Sequence, residues 1–226
     1  MLLNRKAPMT VSDSLANSTR AAHDVGLAAW LGGAMFGKFA HNPSLEKISS
    51  HTERGSVSNA AWNGYNAINA AGLGAAALGW AAARFTEAKP SNLSNSERAL
   101  SSAKDGLMAA AVVTGVASGV QGARLAKQAP DGAVPIETGT VPAAETPPKA
   151  ARIQRSLGVL GSANILAGVG LVAVNAILAQ TNHSHPAKKR ALLRTSASGS
   201  SPSPLWIGSA VATTVAALDQ VRRTRA

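Results

Sequence analysis

The stretch from residue 157 to residue 178, LGVLGSANILAGVGLVAVNAIL, contains no charged side chain. A helix of these 22 residues is about 33 Å long at ~1.5 Å per residue, enough to cross a hydrocarbon core of roughly 30 Å. A helix on the surface of a soluble protein carries charged residues along its outer face. This stretch therefore restricts the chain to a membrane-spanning helix or to a helix that is buried on all sides.

Three further apolar segments, built mainly from alanine and glycine, lie at about 24–40, 60–83 and 106–123. A water-soluble, alanine-rich bundle is the alternative, but residues 60–83 carry no charge on any helical face. Glycine in a water-exposed helix costs about 1 kcal/mol relative to alanine, whereas in membranes it permits close helix contact. We therefore predict an all-α, integral membrane four-helix bundle.

The regions outside the four segments are polar, basic or rich in proline. We predict a polar N-terminal tail (1–20), a transmembrane domain (21–180), a flexible basic and Ser/Pro-rich linker (181–204) and a basic tail helix (205–226). On the tail helix Ile207, Val211, Val215 and Leu218 share one face, which favours an amphipathic helix that lies in the membrane interface. A short fifth span is the alternative.

The chain is basic, with 22 Lys and Arg against 11 Asp and Glu and a net charge of +11. Such an excess is typical of nucleic-acid binding or of the cytoplasmic side of a membrane protein. Aromatic residues make up only 4% of the chain, with a single Tyr, so stacking platforms for single-stranded nucleic acid are poorly supplied. We therefore expect no nucleic-acid partner, and we expect the basic tail to bind anionic lipid headgroups.

The basic residues also predict an orientation. The side that holds both termini and residues 84–104 contains fourteen basic residues, and the opposite side contains eight. Because basic loops are retained in the cytoplasm, we expect a multi-pass protein of the plasma (cytoplasmic) membrane with both termini cytoplasmic. The absence of cysteine excludes disulfides, iron–sulfur clusters and thiol catalysis.

The first and third segments resemble each other, as do the second and fourth. HDVGL at 23–27 matches KDGLM at 104–108, and each is followed by a GxxxG pair. INAAGLG at 68–74 matches ANILAGVG at 163–170. We therefore predict two tandem helical hairpins that begin on the same side of the membrane, a parallel repeat.

The GxxxG pairs are Gly33/Gly37 and Gly115/Gly119. Helices in lipid gain little from hydrophobic burial, so close backbone contact at small residues drives their association. We predict that these glycines pack helices within the bundle. The alternative is a seam against another protein.

Asparagines interrupt the second and fourth segments. In the second, they form a stripe about 120° wide at 100° per residue. The stripe consists of Asn59, Asn63, Asn66 and Asn69. On the fourth segment, Asn164 and Asn175 lie within about 20° of one line. We predict that these amides meet inside the bundle and set its register. The alternatives are a polar path, or a position of Asn59 and Asn63 among the lipid headgroups.

No arrangement of side chains in the sequence predicts catalysis. No paired carboxylates, metal triad or nucleophile with its base share one predicted face. Asp24 and Asp105 begin predicted helices, where a carboxylate offsets the helix dipole. His23 and His41 lie at opposite ends of one segment, and the other three segments contain no histidine. We therefore predict no enzymatic activity, no cofactor and no metal site.

Two stretches are similar to known families. HDVGLAAWLGGAMF at 23–36 resembles the first helix of copper-resistance D-like membrane proteins, and some relatives of that kind are b-type cytochromes. DGAVPIETGTVPAAETPPKAARIQR at 131–155 resembles uncharacterised small multi-span membrane proteins of actinobacterial type. The second resemblance implies a membrane protein without a known activity.

These features together predict a non-enzymatic accessory or scaffolding subunit that packs against other integral membrane proteins of a larger complex. A respiratory or envelope-lipid transport assembly is the kind of host that we expect. The second hypothesis is a small transporter or channel with a polar path lined by asparagine. The third is a haem- or metal-binding membrane redox protein.

Overall fold

The computed structural model describes residues 11–86, 88–129 and 133–184. Four long helices make up most of this part: α1 (Val11–Phe36), α2 (His51–Phe85), α3 (Asn95–Ala126) and α4 (Pro148–Ser184). The only β-structure within these ranges is an isolated bridge between Ile136 and Pro142. The predicted all-α class is therefore confirmed. The predicted tail helix (205–226) and nearly all of the predicted linker lie outside the described residues.

Every helix extends beyond the apolar segment from which it was predicted. α1 begins at Val11, inside the predicted polar tail, and α3 begins at Asn95 rather than near residue 106. Ser50 caps α2 by accepting the backbone N–H of Glu53, and Ser94 with Glu97 forms a capping box at α3. Hydropathy detects only the apolar part of a helix, so it misses these capped polar turns.

The first two connections between the helices are short and partly helical. A π-helical turn (Gly37–His41) continues α1 and leads through helical turns at Asn42–Ser44 and Leu45–Lys47 to α2. A 3₁₀ turn (Pro90–Asn92) precedes α3. Residues 133–147, which lead into α4, fold over the start of α2, and we refer to them as the capping loop.

The four helices pack as two pairs, α1 with α2 and α3 with α4. The predicted pairing into two hairpins is therefore confirmed. Contacting residues in the first pair follow the alternating spacing of three and four residues that is typical of a coiled-coil seam. On α1 this seam consists of His23, Gly26, Trp30, Gly33 and Gly37, and on α2 of Trp62, Tyr65, Gly72, Ala76 and Gly79.

The two pairs share one apolar core. Trp30 and Leu171 are fully buried in it. Gly168 on α4 makes room for α1, because a Cβ atom at this position would lie 2.7 Å from Cδ1 of Leu31 and 3.2 Å from the ring of Trp30. A large aromatic residue of the first pair therefore packs on the backbone of the second.

Two of the described helices, α3 and the part of α4 from Pro148 to Thr181, are long and apolar enough to cross a membrane. α1 and α2 do not meet the same criteria. Glycine and asparagine interrupt the apolar part of α2 and lower its mean hydropathy. By length and composition alone, the structure thus offers two candidate spans where the sequence predicted four.

Candidate functional site: the polar ring, the capping loop and the outer faces

Seven side chains from all four helices meet at one end of the bundle, and we call them the polar ring. The polar ring consists of His23 and Asp24 on α1, Trp80 and Arg84 on α2, Lys104 and Asp105 on α3, and Asn175 on α4. The antiparallel pairing brings these positions to one level. Polar contacts then join each helix to the next around the bundle.

Lys104 is the most buried charge of the polar ring, with 2% of its surface exposed. Its Nζ donates a hydrogen bond to Oδ1 of Asn175 at 2.6 Å and lies 4.1 Å from the ring centroid of Trp80. The face of an indole ring attracts a cation, and this attraction grows when water is excluded. The buried ammonium is therefore stabilised by neighbours on both α2 and α4.

Asp105 joins α3 to α2. It accepts a hydrogen bond from Nε1 of Trp80 at 2.8 Å and forms an ion pair with Nη2 of Arg84 at 3.1 Å. The prediction that Asp24 and Asp105 begin their helices was wrong, because α1 and α3 both start at least ten residues earlier. Both carboxylates bind side chains of neighbouring helices instead.

The polar ring closes through α4 and α1. Nδ2 of Asn175 donates to Oδ1 of Asp24 at 2.9 Å, and Nδ1 of His23 lies 2.6 Å from the carbonyl oxygen of Ala76 on α2. Nε2 of His23 is buried, with no hydrogen-bond partner among the described residues. Directional contacts around the whole ring fix the register of the two hairpins against each other.

At the opposite end, Arg54 on α2 holds the capping loop. Its guanidinium donates to the carbonyl oxygens of Ile48 (2.6 Å), Glu137 (2.9 Å) and Glu46 (3.3 Å), and it also pairs with Oε1 of Glu137 at 3.0 Å. The side chain is nearly buried. Only a planar guanidinium provides this many donors in fixed directions, so Arg54 joins the α1–α2 connection to the capping loop.

His51 lies beside Arg54, between two carboxylates of the capping loop. Its Nδ1 lies 2.5 Å from Oε1 of Glu145, and its Nε2 lies 3.0 Å from Oε2 of Glu137. Hydrogen bonds from its own backbone N–H and from His51 hold the pKa of Glu145 below its ordinary value of 4.5. The ionised carboxylate thus favours the contact between the capping loop and His51.

Three of the four GxxxG glycines lie at contacts between helices of the bundle. A Cβ atom at Gly33 would overlap the Tyr65 side chain, and one at Gly37 would lie 2.5 Å from the Trp62 ring. At Gly115 it would lie 2.7 Å from Leu73. Gly119 faces open space, with nothing within 4 Å. Packing inside the bundle thus accounts for Gly33, Gly37 and Gly115, and leaves Gly119 on the surface.

The closest approach between two helix backbones was not predicted. A Cβ atom at Gly26 would lie 2.5 Å from the carbonyl oxygen of Gly72, and one at Gly79 would lie 2.7 Å from that of Thr19. Gly26 is followed by Trp30 and Gly33, at spacings of four and three. A search for this alternating spacing, rather than for GxxxG alone, would have found the seam.

The asparagines do not meet as predicted. Nδ2 of Asn164 donates to the carbonyl oxygen of Ala111 and to Oγ1 of Thr114, both on α3 and both at 2.9 Å. Asn175 belongs to the polar ring. The amides of α2 and α4 face different neighbours, because α2 packs on α1 and α4 packs on α3.

The stripe on α2 is divided between the interior and the surface. Asn69 is half-buried, with its Oδ1 enclosed and without a partner among the described residues. Asn63 and Asn66 are exposed on the outside of α2. These two amides therefore do not line a path between the helices of this chain.

Large apolar side chains cover much of the outer surface. On α3, Val113 is 66% and Val116 60% exposed, and Val120 follows one turn later. Val159 and Leu166 are exposed on α4. Large exposed apolar patches often mark interaction sites.

Within the described ranges, no three His, Asp or Glu side chains come close enough to hold a metal ion. No protein-family model, no curated protein and no solved structure matches the chain. The two resemblances drawn from the sequence therefore stay predictions, and the function has to be inferred from the geometry.

Proposed function

We propose that the chain is a non-enzymatic integral membrane protein whose four helices cross the bilayer, and that it acts as an accessory or scaffolding subunit of a larger membrane complex. The observation that carries this proposal is the exposure of α3. This helix is apolar enough to cross a membrane, yet only 11% of its apolar stretch is buried. The core helix of a soluble protein can be this apolar because it is mostly buried, whereas α3 is mostly exposed.

The distribution of charge supports the membrane part of the proposal. On α3, no charged residue lies between Asp105 and Arg124, which are about 28 Å apart at ~1.5 Å per residue. This length matches the hydrocarbon thickness of a bilayer. The polar ring marks one boundary of this uncharged zone, and Arg54 with the capping loop lies at the other end of the bundle.

The uncharged part of α1 is shorter than that of α3. Asp24 and Lys38 enclose thirteen residues without charge, about 20 Å of helix. Lys38 extends its side chain to α4, where its Nζ donates to Oγ of Ser162 at 2.8 Å. A lysine near the end of a span can also place its charge at the interface by extending its aliphatic stem. Lys38 is therefore compatible with a spanning α1.

The outer face of α2 supports the subunit part of the proposal. Asn63 and Asn66 lie within the 29 residues between Arg54 and Arg84 that carry no charge. An amide exposed to lipid lacks a hydrogen-bond partner, whereas a neighbouring protein helix can supply one. Gly64, between them, has open space above it and permits close approach. We infer that this face receives a helix of a partner protein.

The experiment has two steps. Membranes that contain the full chain are first washed with alkaline carbonate, and we expect the protein to stay in the pellet. Gentle detergent extraction and a native gel follow, and we expect the chain in an assembly larger than the monomer. Release by carbonate contradicts the membrane part of the proposal, and a stable lone monomer contradicts the subunit part.

A double substitution tests the α2 face directly. Asn63→Ala with Asn66→Ala removes two interhelical hydrogen bonds, each worth about 0.6 kcal/mol in membranes, so we expect about sevenfold weaker association with the partner. The control is Asn92→Ala with Asn95→Ala, which changes two exposed asparagines outside the uncharged zone. Equal co-purification of both variants would argue against this face as the contact.

A further inference from the structure

A basic groove of about 690 Å³ lies between the end of α3 and the start of α4. Four cations and two amides line it: Arg124, Lys127, Lys149, Arg152, Gln121 and Gln128. No acidic side chain is among the described residues that line it, and none of the four cations forms an ion pair within the described part of the chain. The groove therefore concentrates positive charge, with no counter-ion among the described residues.

The two walls of the groove are held together at its base. Nε2 of Gln121 on α3 donates to Oγ of Ser156 on α4 at 3.1 Å. Arg152 also lines a neighbouring opening of about 570 Å³, together with Arg155. The cations thus belong to two tethered helices, so their charges converge without any movement of the backbone.

The groove opens onto apolar surface. Val113, Val120 and Arg124 follow one another at i, i+7 and i+11 on α3, and they share one helical face. On α4, Arg152, Val159 and Leu166 follow at i, i+7 and i+14. Each basic wall therefore continues into exposed valine or leucine on the same helix.

We propose that this groove binds the phosphate headgroup of an anionic phospholipid, with its acyl chains along the exposed apolar faces of α3 and α4. Basic pockets between helices at the membrane interface are suited to such headgroups. Arginine provides a planar fork for phosphate oxygens, and lysine provides a compact point charge. A soluble anion would use the cations but would leave the adjoining valines uncovered.

The position of the groove agrees with this ligand. Arg124 follows directly on the uncharged stretch of α3 that begins after Asp105, and Arg155 directly precedes that of α4. The phosphates of a bilayer lie just outside its hydrocarbon core. This inference rests on the proposed membrane location, and it places lipid recognition at the end of the bundle opposite the polar ring and the predicted basic tail.

The test measures lipid binding by native mass spectrometry of the full chain in detergent. Phosphatidylglycerol and phosphatidylcholine with identical acyl chains are added at equal concentration, and we expect bound phosphatidylglycerol to exceed phosphatidylcholine at least tenfold. Lys127→Gln with Lys149→Gln should weaken binding of phosphatidylglycerol about thirty-fold, since each basic residue near the headgroup contributes roughly a fivefold change.

Lys47→Gln with Lys89→Gln is the matched control, because it removes two exposed lysines outside the groove. We expect this control to change phosphatidylglycerol binding less than twofold. Equal losses in the two double variants would overturn the proposal, because they would show a response to net charge alone. Complete displacement of the lipid by an equal concentration of inorganic phosphate would overturn it in favour of a soluble anion.

Two further results separate this inference from the proposed function. If the chain resists carbonate washing but binds both lipids equally, the groove proposal fails and the membrane proposal stands. If carbonate releases the chain, the membrane proposal itself fails. The chain should also be tested for binding of a short RNA. If Lys127→Gln with Lys149→Gln weakens RNA binding more than it weakens lipid binding, the lipid assignment is overturned.

Discussion

The contact between Gly26 on α1 and Gly72 on α2 provides the sharpest test of the fold. Replacing Gly26 by alanine adds one methyl group where the helix backbones touch. The new Cβ atom would lie 2.5 Å from the carbonyl oxygen of Gly72 and 2.8 Å from the backbone nitrogen of Ala76. Because both atoms belong to a helix backbone, no side chain can rotate away, and the helices have to separate.

The magnitude follows from a comparison within α1. Gly32 has nothing within 4 Å of its Cβ position, so Gly32→Ala changes only helix propensity and stabilises by up to about 1 kcal/mol. Gly26→Ala gains the same propensity but adds overpacking, which costs roughly 1–3 kcal/mol. We therefore expect Gly26→Ala to be less stable than Gly32→Ala by about 1–3 kcal/mol.

The assay is thermal unfolding of the purified full chain in one detergent, with circular dichroism at 222 nm as readout. At roughly 2–4 °C per kcal/mol for a chain of this size, the two variants should differ in Tm by about 2–12 °C. Gly72→Ala and Gly74→Ala form an equivalent pair on α2, because Gly74 also faces open space. Equal Tm values within each pair would refute the close backbone contact.

Three further predictions concern the two ends of the bundle. Lys104→Met should destabilise the bundle by about 1–3 kcal/mol because it leaves Oδ1 of the half-buried Asn175 without its donor. A double-mutant cycle with Asn175→Leu should show a coupling of about 0.5–3 kcal/mol in the same unfolding assay. Arg54→Lys keeps the charge but loses the planar set of guanidinium donors that holds the capping loop. Limited proteolysis should therefore cut this loop faster in the variant than in wild type. The pKa of Glu145 is lowered in the folded chain, so its contact with His51 stabilises the loop above about pH 4.5 and is lost as the pH falls further. Hydrogen exchange in the loop should therefore differ between wild type and Glu145→Gln at pH 6. This difference should disappear at acidic pH.

Each of these predictions has an outcome that contradicts it. Additive effects of Lys104→Met and Asn175→Leu would show that the hydrogen bond between them contributes nothing. Unchanged proteolysis of the Arg54→Lys variant would mean that one donor suffices to hold the loop. An exchange difference for Glu145→Gln that persists at low pH would assign its effect to packing rather than to ionisation.

Much of the architecture could be predicted from the sequence. Uncharged stretches identified all four helices, because an uninterrupted run of small and apolar residues suits neither a surface helix nor a loop. The resemblance of the first apolar segment to the third, and of the second to the fourth, predicted two hairpins in tandem. The ends of the helices were missed, since Ser50 and Ser94 act through local hydrogen bonds that do not change the hydropathy of a segment.

The polar contacts could not be predicted in the same way. Periodicity places Asn63, Asn66 and Asn69 on adjoining faces of one helix, but it does not say which face meets a neighbour. The structure turns Asn69 towards the interior and leaves the other two outside. For the same reason Asp105 was assigned to a helix start, whereas its partners Trp80 and Arg84 come from the preceding helix.

The sequence by itself thus determined the helical class, the positions of the apolar stretches and the concentration of charge at their ends, because these depend on composition and local periodicity. Only the tertiary structure decided which glycines touch, which amides are satisfied and which cations converge between α3 and α4. These properties depend on the rotation of each helix about its axis and on its axial shift against its neighbour. Both are fixed by contacts between residues that are far apart in the chain, such as Gly26 with Gly72 and Lys104 with Asn175.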